Sequence, residues 1–231
     1  MGLAEVWYFP GILTGLHRER QGNMLGKPAI QQFVSQAHKR SYPPKHTILH
    51  AGDTPTTLFL ILEGSVSVLL EDKEGREIVL AYLGPGDFFG EMCLFPEQAS
   101  RTAIVRTRTQ PTLVAECTYA AFRQFAKDHH EIMYEIAGQL ATRLRSTNAR
   151  LSDLAFLDVA GRLAHILLDL SQKPDSMEHP RGRVVRISRQ ELARNAGCSR
   201  EMAGRVLKKL EEDGLVQSQG RNIVVLNVPV A

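Results

Sequence analysis

Arg200, Glu201, Arg205 and Lys208 carry helical spacing between Ser199 and Leu210, and their side chains have the chemistry to read a nucleic acid. At about 100° per residue they share an arc of about 140° with Gly204, while Met202, Ala203, Val206, Leu207 and Leu210 fill the opposite arc. Arginine can set its planar fork on guanine and glutamate can accept from the cytosine amino group, so this face suits base edges in a major groove. The plainer reading of any charged arc is the solvated side of an amphipathic helix. A second group of residues lies at Gly90-Glu91-Met92 and Arg101-Thr102. A glycine admits a close backbone approach, an arginine pairs with phosphate, a hydroxyl adds a bond to it, and a carboxylate accepts from a ribose hydroxyl. Together they describe a cradle for a cyclic nucleotide, although Arg101 taken alone reads equally well as a surface salt bridge.

Both groups need elements to hold them. Ser188 with Glu191 three residues on predicts a capped helix start, and Asn195-Ala196-Gly197 predicts its end, with Gly197 in a left-handed turn. Ser199 then caps a second helix, so two helices of about eight and eleven residues form a helix-turn-helix. Residues 42–120 are short β-rich segments punctuated by Gly52, Gly64, Gly75, Gly84, Gly86 and Gly90, which predicts a compact antiparallel barrel or roll. Within it Val66, Val68 and Leu70 alternate with Ser65, Ser67 and Leu69. The turn Asp72-Lys73-Glu74-Gly75 leads into a second strand through Ile78, Leu80 and Tyr82.

Between these regions Met133, Ala137, Leu140, Leu144, Thr147, Leu151 and Leu154 follow steps of four and three. Such a seam, roughly 33 Å long at about 1.5 Å per residue, predicts a parallel homodimer helix; a helix buried in one monomer has a similar stripe. Thr147 is its polar break, a cost unless something hydrogen-bonds it. Val216 to Leu226, with Gly220-Arg221-Asn222 at its turn, predicts a β-wing.

The chain has 231 residues, 43% hydrophobic and 23% charged, which is ordinary globular composition and long enough for two cores. No apolar run approaches the roughly 20 residues of a membrane span. A net charge of +3 argues nothing by itself. Cys93, Cys117 and Cys198 are odd in number and far apart, which suits a reducing cytoplasm and argues against a disulfide framework or an iron–sulfur centre. Neither GxGxxG nor GxxxxGK[ST] occurs, no serine elbow is present and the histidines have no zinc-type spacing. No catalytic residue, metal site or cofactor is therefore assigned, and an enzyme is not expected.

From about residue 25 to 226 the chain resembles the catabolite activator (cyclic AMP receptor) branch of the Crp/Fnr regulators, first at Ser188 to Leu210 and again at Gly86–Glu91 and Arg101-Thr102-Ala103. The resemblance implies an α+β chain: an N-terminal antiparallel β-roll of the cyclic-nucleotide-binding jelly-roll type, a long dimerisation helix and a C-terminal winged helix-turn-helix. It divides the chain into 1–23, an extension or misassigned start; 24–128, the roll; 129–158, dimerisation helix and hinge; and 159–231, the DNA-binding domain. It implies that Gly90, Glu91, Met92, Arg101 and Thr102 bind ligand, Glu91 through the ribose hydroxyl and Arg101 with Thr102 through the cyclic phosphate. Thr147 and, from the partner chain, Asn148 would contact the base, where the family usually has serine at the second position. It further implies that Arg200, Glu201 and Arg205 contact bases, that Arg189 and Ser199 contact phosphates, and that Lys208 lies on the same DNA-binding face. The implied protein is a cytoplasmic homodimer on a double-stranded pseudo-palindromic site, with RNA polymerase as a further partner and cyclic AMP as allosteric ligand. Related regulators respond instead to cyclic di-GMP or bind DNA without ligand. A reading of another class is a cyclic-nucleotide-binding regulatory subunit acting on protein partners. The polymerase surface is expected on an exposed loop, Pro174 to Arg183, with Glu178 replacing a small hydroxyl residue, and the basic His38-Lys39-Arg40 reads as a second contact or as solvated surface.

Overall fold

The computed structural model describes residues 24–95, 100–172 and 176–226. The reading of 1–23 therefore lies outside the described residues. The chain forms two compact units whose boundary falls between Thr147 and Asn148.

The first unit is a two-sheet antiparallel roll. Helix α1 (Pro28–Gln36) leads into β1 (His38–Tyr42), β2 (Thr47–Leu49), β3 (Thr57–Glu63), β4 (Val66–Glu71), β5 (Glu77–Leu83) and β6 (Phe88–Phe89). A 3-10 turn (Glu91–Leu94), β7 (Ile104–Thr107), β8 (Thr112–Thr118), α2 (Tyr119–Asp128) and α3 (Glu131–Phe156), whose residues from Asn148 on belong to the second unit, follow. One sheet runs β1-β8-β3-β6 and the other β2-β7-β4-β5. The sheets enclose Tyr42, Phe59, Ile61, Val66, Phe89 and Val114. Outside them Phe33 meets Phe88, Phe122 and Phe125 edge-on at 5.6, 6.0 and 5.9 Å, seating α1 and α2 on the roll.

The expected hairpin is present, with β4 paired to β5, but its inward face differs from the sequence reading. A register shift lies between Val68 and Leu69, so Leu69 turns in while Leu70 is exposed; on β5, Val79 and Leu83 are buried while Ile78 and Leu80 face outward. The pairing passes from Val68–Ala81 to Leu69–Val79 and skips Leu80 of β5, while alternation by itself does not say which of its two sets faces the core. The turn is as expected: the Asp72 carboxylate accepts from the Glu74 and Arg76 amides at 2.9 Å each, and Gly75 takes a φ of 75°. The Arg76 amide and side chain hold the Asp72 carboxyl below the usual carboxylate range.

The seam residues all lie on α3, yet their surroundings divide them. Met133 and Leu140 pack against the roll core beside buried Ile132 and Ile136, whereas Leu144, Leu151 and Leu154 are 62, 66 and 57% exposed. Between Met133 and Leu140, Ala137 of the same stripe is exposed. Met133 and Leu140 thus pack in part against their own roll, which periodicity cannot foretell because a dimer seam and a core stripe use the same spacing.

The second unit continues through α4 (Val159–Ser171), β9 (Met177–His179), β10 (Gly182–Arg186), α5 (Arg189–Ala196), α6 (Arg200–Glu212), β11 (Val216–Gln219) and β12 (Asn222–Leu226). Asp158 caps α4 by accepting from the Gly161 amide at 2.8 Å, which marks the break after α3. The predicted wing is the pair β11–β12, set in the sheet order β11-β12-β10-β9. The expected open loop from Pro174 to Arg183 is also corrected: Lys173 to Asp175 lie outside the described residues, and Met177–His179 pairs with β10 as a hairpin. That hairpin is too short to raise an alternation signal. Arg162 joins α4 to the helix pair, donating to the carbonyls of Ala196 and Leu157 at 3.0 Å each. No helix among the described residues is long and apolar enough to cross a membrane.

Candidate functional site

The helix-turn-helix forms as its sequence predicts, with the second helix two residues longer. Ser188 Oγ accepts from the Glu191 amide at 3.2 Å, Gly197 has a φ of 62°, and Ser199 Oγ accepts from the Met202 amide at 3.1 Å. Burial of Ala203, Leu207 and Leu210 fixes the rotation of α6. Its opposite face then presents Arg200, Glu201, Gly204, Arg205 and Lys208, which with Arg189 of α5 line one shallow surface recess. Arg189 lies alongside Gly204, its Cδ 4.0 Å from where a Cβ on Gly204 would stand, an ordinary contact distance. The Ser199 hydroxyl is committed to its cap but remains exposed. The recess joins four cations and one carboxylate, a balance suited to phosphates at its edge and base edges at its centre. Beside it Cys198 is a free thiol, and burial pushes its pKa up.

In the roll, Gly86 lies at a turn with a φ of 87°, and the Ile61 amide and carbonyl bond the Asp87 carbonyl and Gly86 amide at 3.0 and 2.8 Å. Strand β6 pairs with β3, and Phe89 stacks on Phe59 at 4.7 Å. The chain then turns at Gly90, whose φ of 78° favours glycine, into the 3-10 turn that begins at Glu91. Arg101 reaches this turn from a loop whose backbone is pinned by bonds to Gly52 and Asp53.

Arg101 is 6% exposed and Glu91 is 5% exposed, so Arg101 is not the surface arginine that the plain alternative supposed. The Arg101 guanidinium instead donates from Nη1 to the Gly90 carbonyl at 3.0 Å and to Tyr119 Oη at 2.7 Å, and from Nη2 to the Thr57 carbonyl at 2.6 Å. Glu91 pairs with Arg143 of α3 at 2.8 Å, and Arg143 also donates to the Phe88 carbonyl. Gln139, one turn earlier, accepts from the Phe88 amide at 2.9 Å and donates to the Gly86 carbonyl at 2.8 Å. Gly90, Glu91 and Arg101 are therefore brought together. Thr102 is exposed beside them, Met92 is 48% exposed, and Thr147 and Asn148 stand exposed on α3.

Sequence reasoning missed Tyr119, Gln139 and Arg143. Gln139 and Arg143 precede Thr147 at steps of four, a signal for one shared helix face. Nothing near Tyr119 in sequence points to Arg101. Burial pushes the Tyr119 phenol up to about 12, so its proton stays on at neutral pH.

A roll with a buried arginine and carboxylate at one glycine turn, joined in one chain to a winged helix-turn-helix with a basic reading face, defines a cyclic-nucleotide-binding transcription regulator. Residues 39–129 match the cyclic nucleotide-binding domain and residues 161–230 the Crp-like helix-turn-helix domain. The chain is 50% identical over 199 residues to the cAMP-activated global transcriptional regulator Vfr of Pseudomonas aeruginosa, covering 85% of this chain and 92% of that protein. It is 45% identical over 206 residues to the cAMP-activated global transcriptional regulator CRP of Salmonella typhimurium, covering 87% and 98% respectively. The structure of CLP, the c-di-GMP responsive global regulator of Xanthomonas campestris, superposes with a TM-score of 0.80 at 45% identity, over 87% of this chain and 99% of that one. The chain belongs to the Crp/Fnr family of DNA-binding transcriptional regulators. The regulatory-subunit reading is thereby set aside.

Proposed function

We propose that this chain is a homodimeric, cytoplasmic transcription regulator whose DNA binding is controlled by cyclic AMP. The observation that carries the ligand is the buried Arg101 guanidinium against Gly90, with Glu91 close by: a cation for the phosphate and a carboxylate for the ribose hydroxyl on one turn. Thr102 would add a bond to the phosphate and Met92 would border the site, while Thr147 and the partner's Asn148 would take the base. Arg200, Glu201 and Arg205 read bases; Arg189, Ser199 and Lys208 hold phosphates. On this reading residues 24–128 bind the nucleotide, 129–158 carry the dimer helix and hinge, and 159–231 bind DNA. RNA polymerase is the further partner, met in part through the β9–β10 hairpin, where Glu178 is exposed and lies 3.9 Å from Arg183. Nucleotide that binds the DNA-competent dimer better than the incompetent one shifts the population toward it.

The likeness to a c-di-GMP responsive regulator supports a second effector reading, and calorimetry separates the two. Purified protein is titrated with cyclic AMP and with cyclic di-GMP, and binding to a palindromic operator is measured with each. Cyclic AMP uptake that tightens operator binding is the expected result. Uptake of cyclic di-GMP alone, or operator binding indifferent to both, overturns the cyclic AMP reading.

The dimer has its own test. Leu144, Leu151 and Leu154 form an apolar strip open to solvent in the single chain. Burial of one such leucine is worth about 1.5–3 kcal/mol, and a symmetric dimer buries each twice. Leu151→Glu is therefore expected to give a monomer by sedimentation while the roll keeps its circular dichroism. A dimer unchanged at micromolar concentration would show that the strip is not the interface.

A further inference from the structure

Arginine has five N–H donors, and the protein itself takes three of those on Arg101 through Gly90, Tyr119 and Thr57. Nη1 donates to both the Gly90 carbonyl and Tyr119 Oη. Among the described residues, one Nη2 proton and the Nε proton remain. They sit on neighbouring nitrogens, the arrangement with which a guanidinium grips two oxygens of one phosphate.

Tyr119 occupies a particular place in this set. Its hydroxyl accepts from Arg101 at 2.7 Å and donates to the Gly90 carbonyl at 2.6 Å, closing a three-membered ring of bonds with the direct Arg101–Gly90 contact. The phenol is 7% exposed at the start of α2, and the Arg101 guanidinium carbon lies 5.6 Å from the ring centroid. The start of strand β3 anchors its backbone, because the Tyr119 amide donates to the Thr56 carbonyl at 2.9 Å, next to the Thr57 whose carbonyl holds Nη2. A long, flexible side chain is thus held at three points before any ligand arrives, which reduces the ordering cost of binding.

We infer that Tyr119 is a positioning residue for phosphate recognition: its hydroxyl locks the Arg101 guanidinium to the Gly90 turn so that the two remaining donors face the cyclic phosphate. The inference rests on the cyclic-nucleotide reading above and extends it to a residue placed outside the ligand cradle. Tyr119→Phe keeps the ring and removes only the hydroxyl.

The test is a double-mutant cycle read by calorimetric affinity for cyclic AMP. Tyr119→Phe is expected to weaken binding about tenfold, the size of one hydrogen bond to a charged group. Combined with Arg101→Lys, which has no planar fork to orient, Tyr119→Phe should cost less than about twofold more. A general loss of fold would lower affinity in both backgrounds alike, so the cycle separates orientation from stability. A readout on the unmutated protein guards against a variant that does not fold. In slow-exchange nitrogen–proton spectra, cyclic AMP should shift the Nε and one Nη2 resonance of Arg101 and leave both Nη1 protons in place. Cyclic AMP affinity unchanged in Tyr119→Phe, losses that multiply in the double variant, or movement of the Nη1 protons overturns the assignment of Tyr119 alone. If unmutated protein takes up no cyclic AMP, or Arg101→Lys binds it normally, the ligand reading itself fails and this inference with it.

Discussion

Arg205→Ala is expected to weaken specific operator binding by about 2–6 kcal/mol per dimer while leaving non-specific binding much less affected. A good bidentate contact to a base is worth about 1–3 kcal/mol of discrimination, and a two-fold dimer makes it twice. Arg205 is exposed, and its one side-chain hydrogen bond among the described residues is to Met202 Sδ at 3.8 Å, so its removal should change stability by no more than about 0.5 kcal/mol. The measurement is fluorescence anisotropy on operator and scrambled duplex at one fixed salt concentration, since affinity for DNA depends steeply on salt. Preference at one base pair in each half-site should relax. Equal losses on both duplexes would reassign Arg205 to the phosphate backbone, the role proposed for Arg189 and Lys208.

Gly90→Ala is expected to weaken cyclic AMP binding by about a hundredfold or more without unfolding the roll. The new Cβ would stand 2.7 Å from Arg101 Nη1 and 3.2 Å from the Thr57 carbonyl, on a backbone with a φ of +78°. The left-handed conformation alone costs about 1–3 kcal/mol for a residue with a side chain. The backbone at Thr57 is held in a strand, so the guanidinium must give way. Displacing it forfeits two hydrogen bonds to a charged phosphate, each about 1.5–3 kcal/mol, which is the origin of the hundredfold figure. Thermal unfolding should show a modest loss of stability, and calorimetry the much larger loss of ligand. Near-normal affinity with lowered stability would mean that Gly90 serves the turn alone.

The two sites are legible in sequence to different degrees. The DNA-reading face is a local pattern: Ser188, Gly197 and Ser199 set the helix boundaries, and Ala203, Leu207 and Leu210 set which side of α6 is buried, leaving Arg200, Glu201, Arg205 and Lys208 outward. The nucleotide cradle is legible only in outline. Gly90-Glu91 and Arg101-Thr102 can be picked out as suitable chemistry, but Tyr119 is 18 residues from Arg101 and Arg143 is 52 from Glu91, separations that no local periodicity spans. The β4–β5 hairpin shows the same limit inside a single element. Its turn is readable from Asp72 and Gly75, whereas the register shift that skips Leu80 is not.

The order of residues along the chain suffices for whatever depends on neighbours within a turn or two: the helix caps, the glycine turns, the hairpin, the wing and the apolar stripe of α3. Backbone capping and side-chain periodicity act over a few residues, so residue types there are enough. Packing between distant elements was needed to show that Met133 and Leu140 pack in part against their own roll while Leu144, Leu151 and Leu154 stay open. It also settled that Arg101 is buried and held from three sides and that Glu91 is matched to Arg143. Those outcomes depend on which strands and helices pack together, and burial of an arginine and a glutamate is tolerable only where distant carbonyls, a phenol and an opposite charge converge on them.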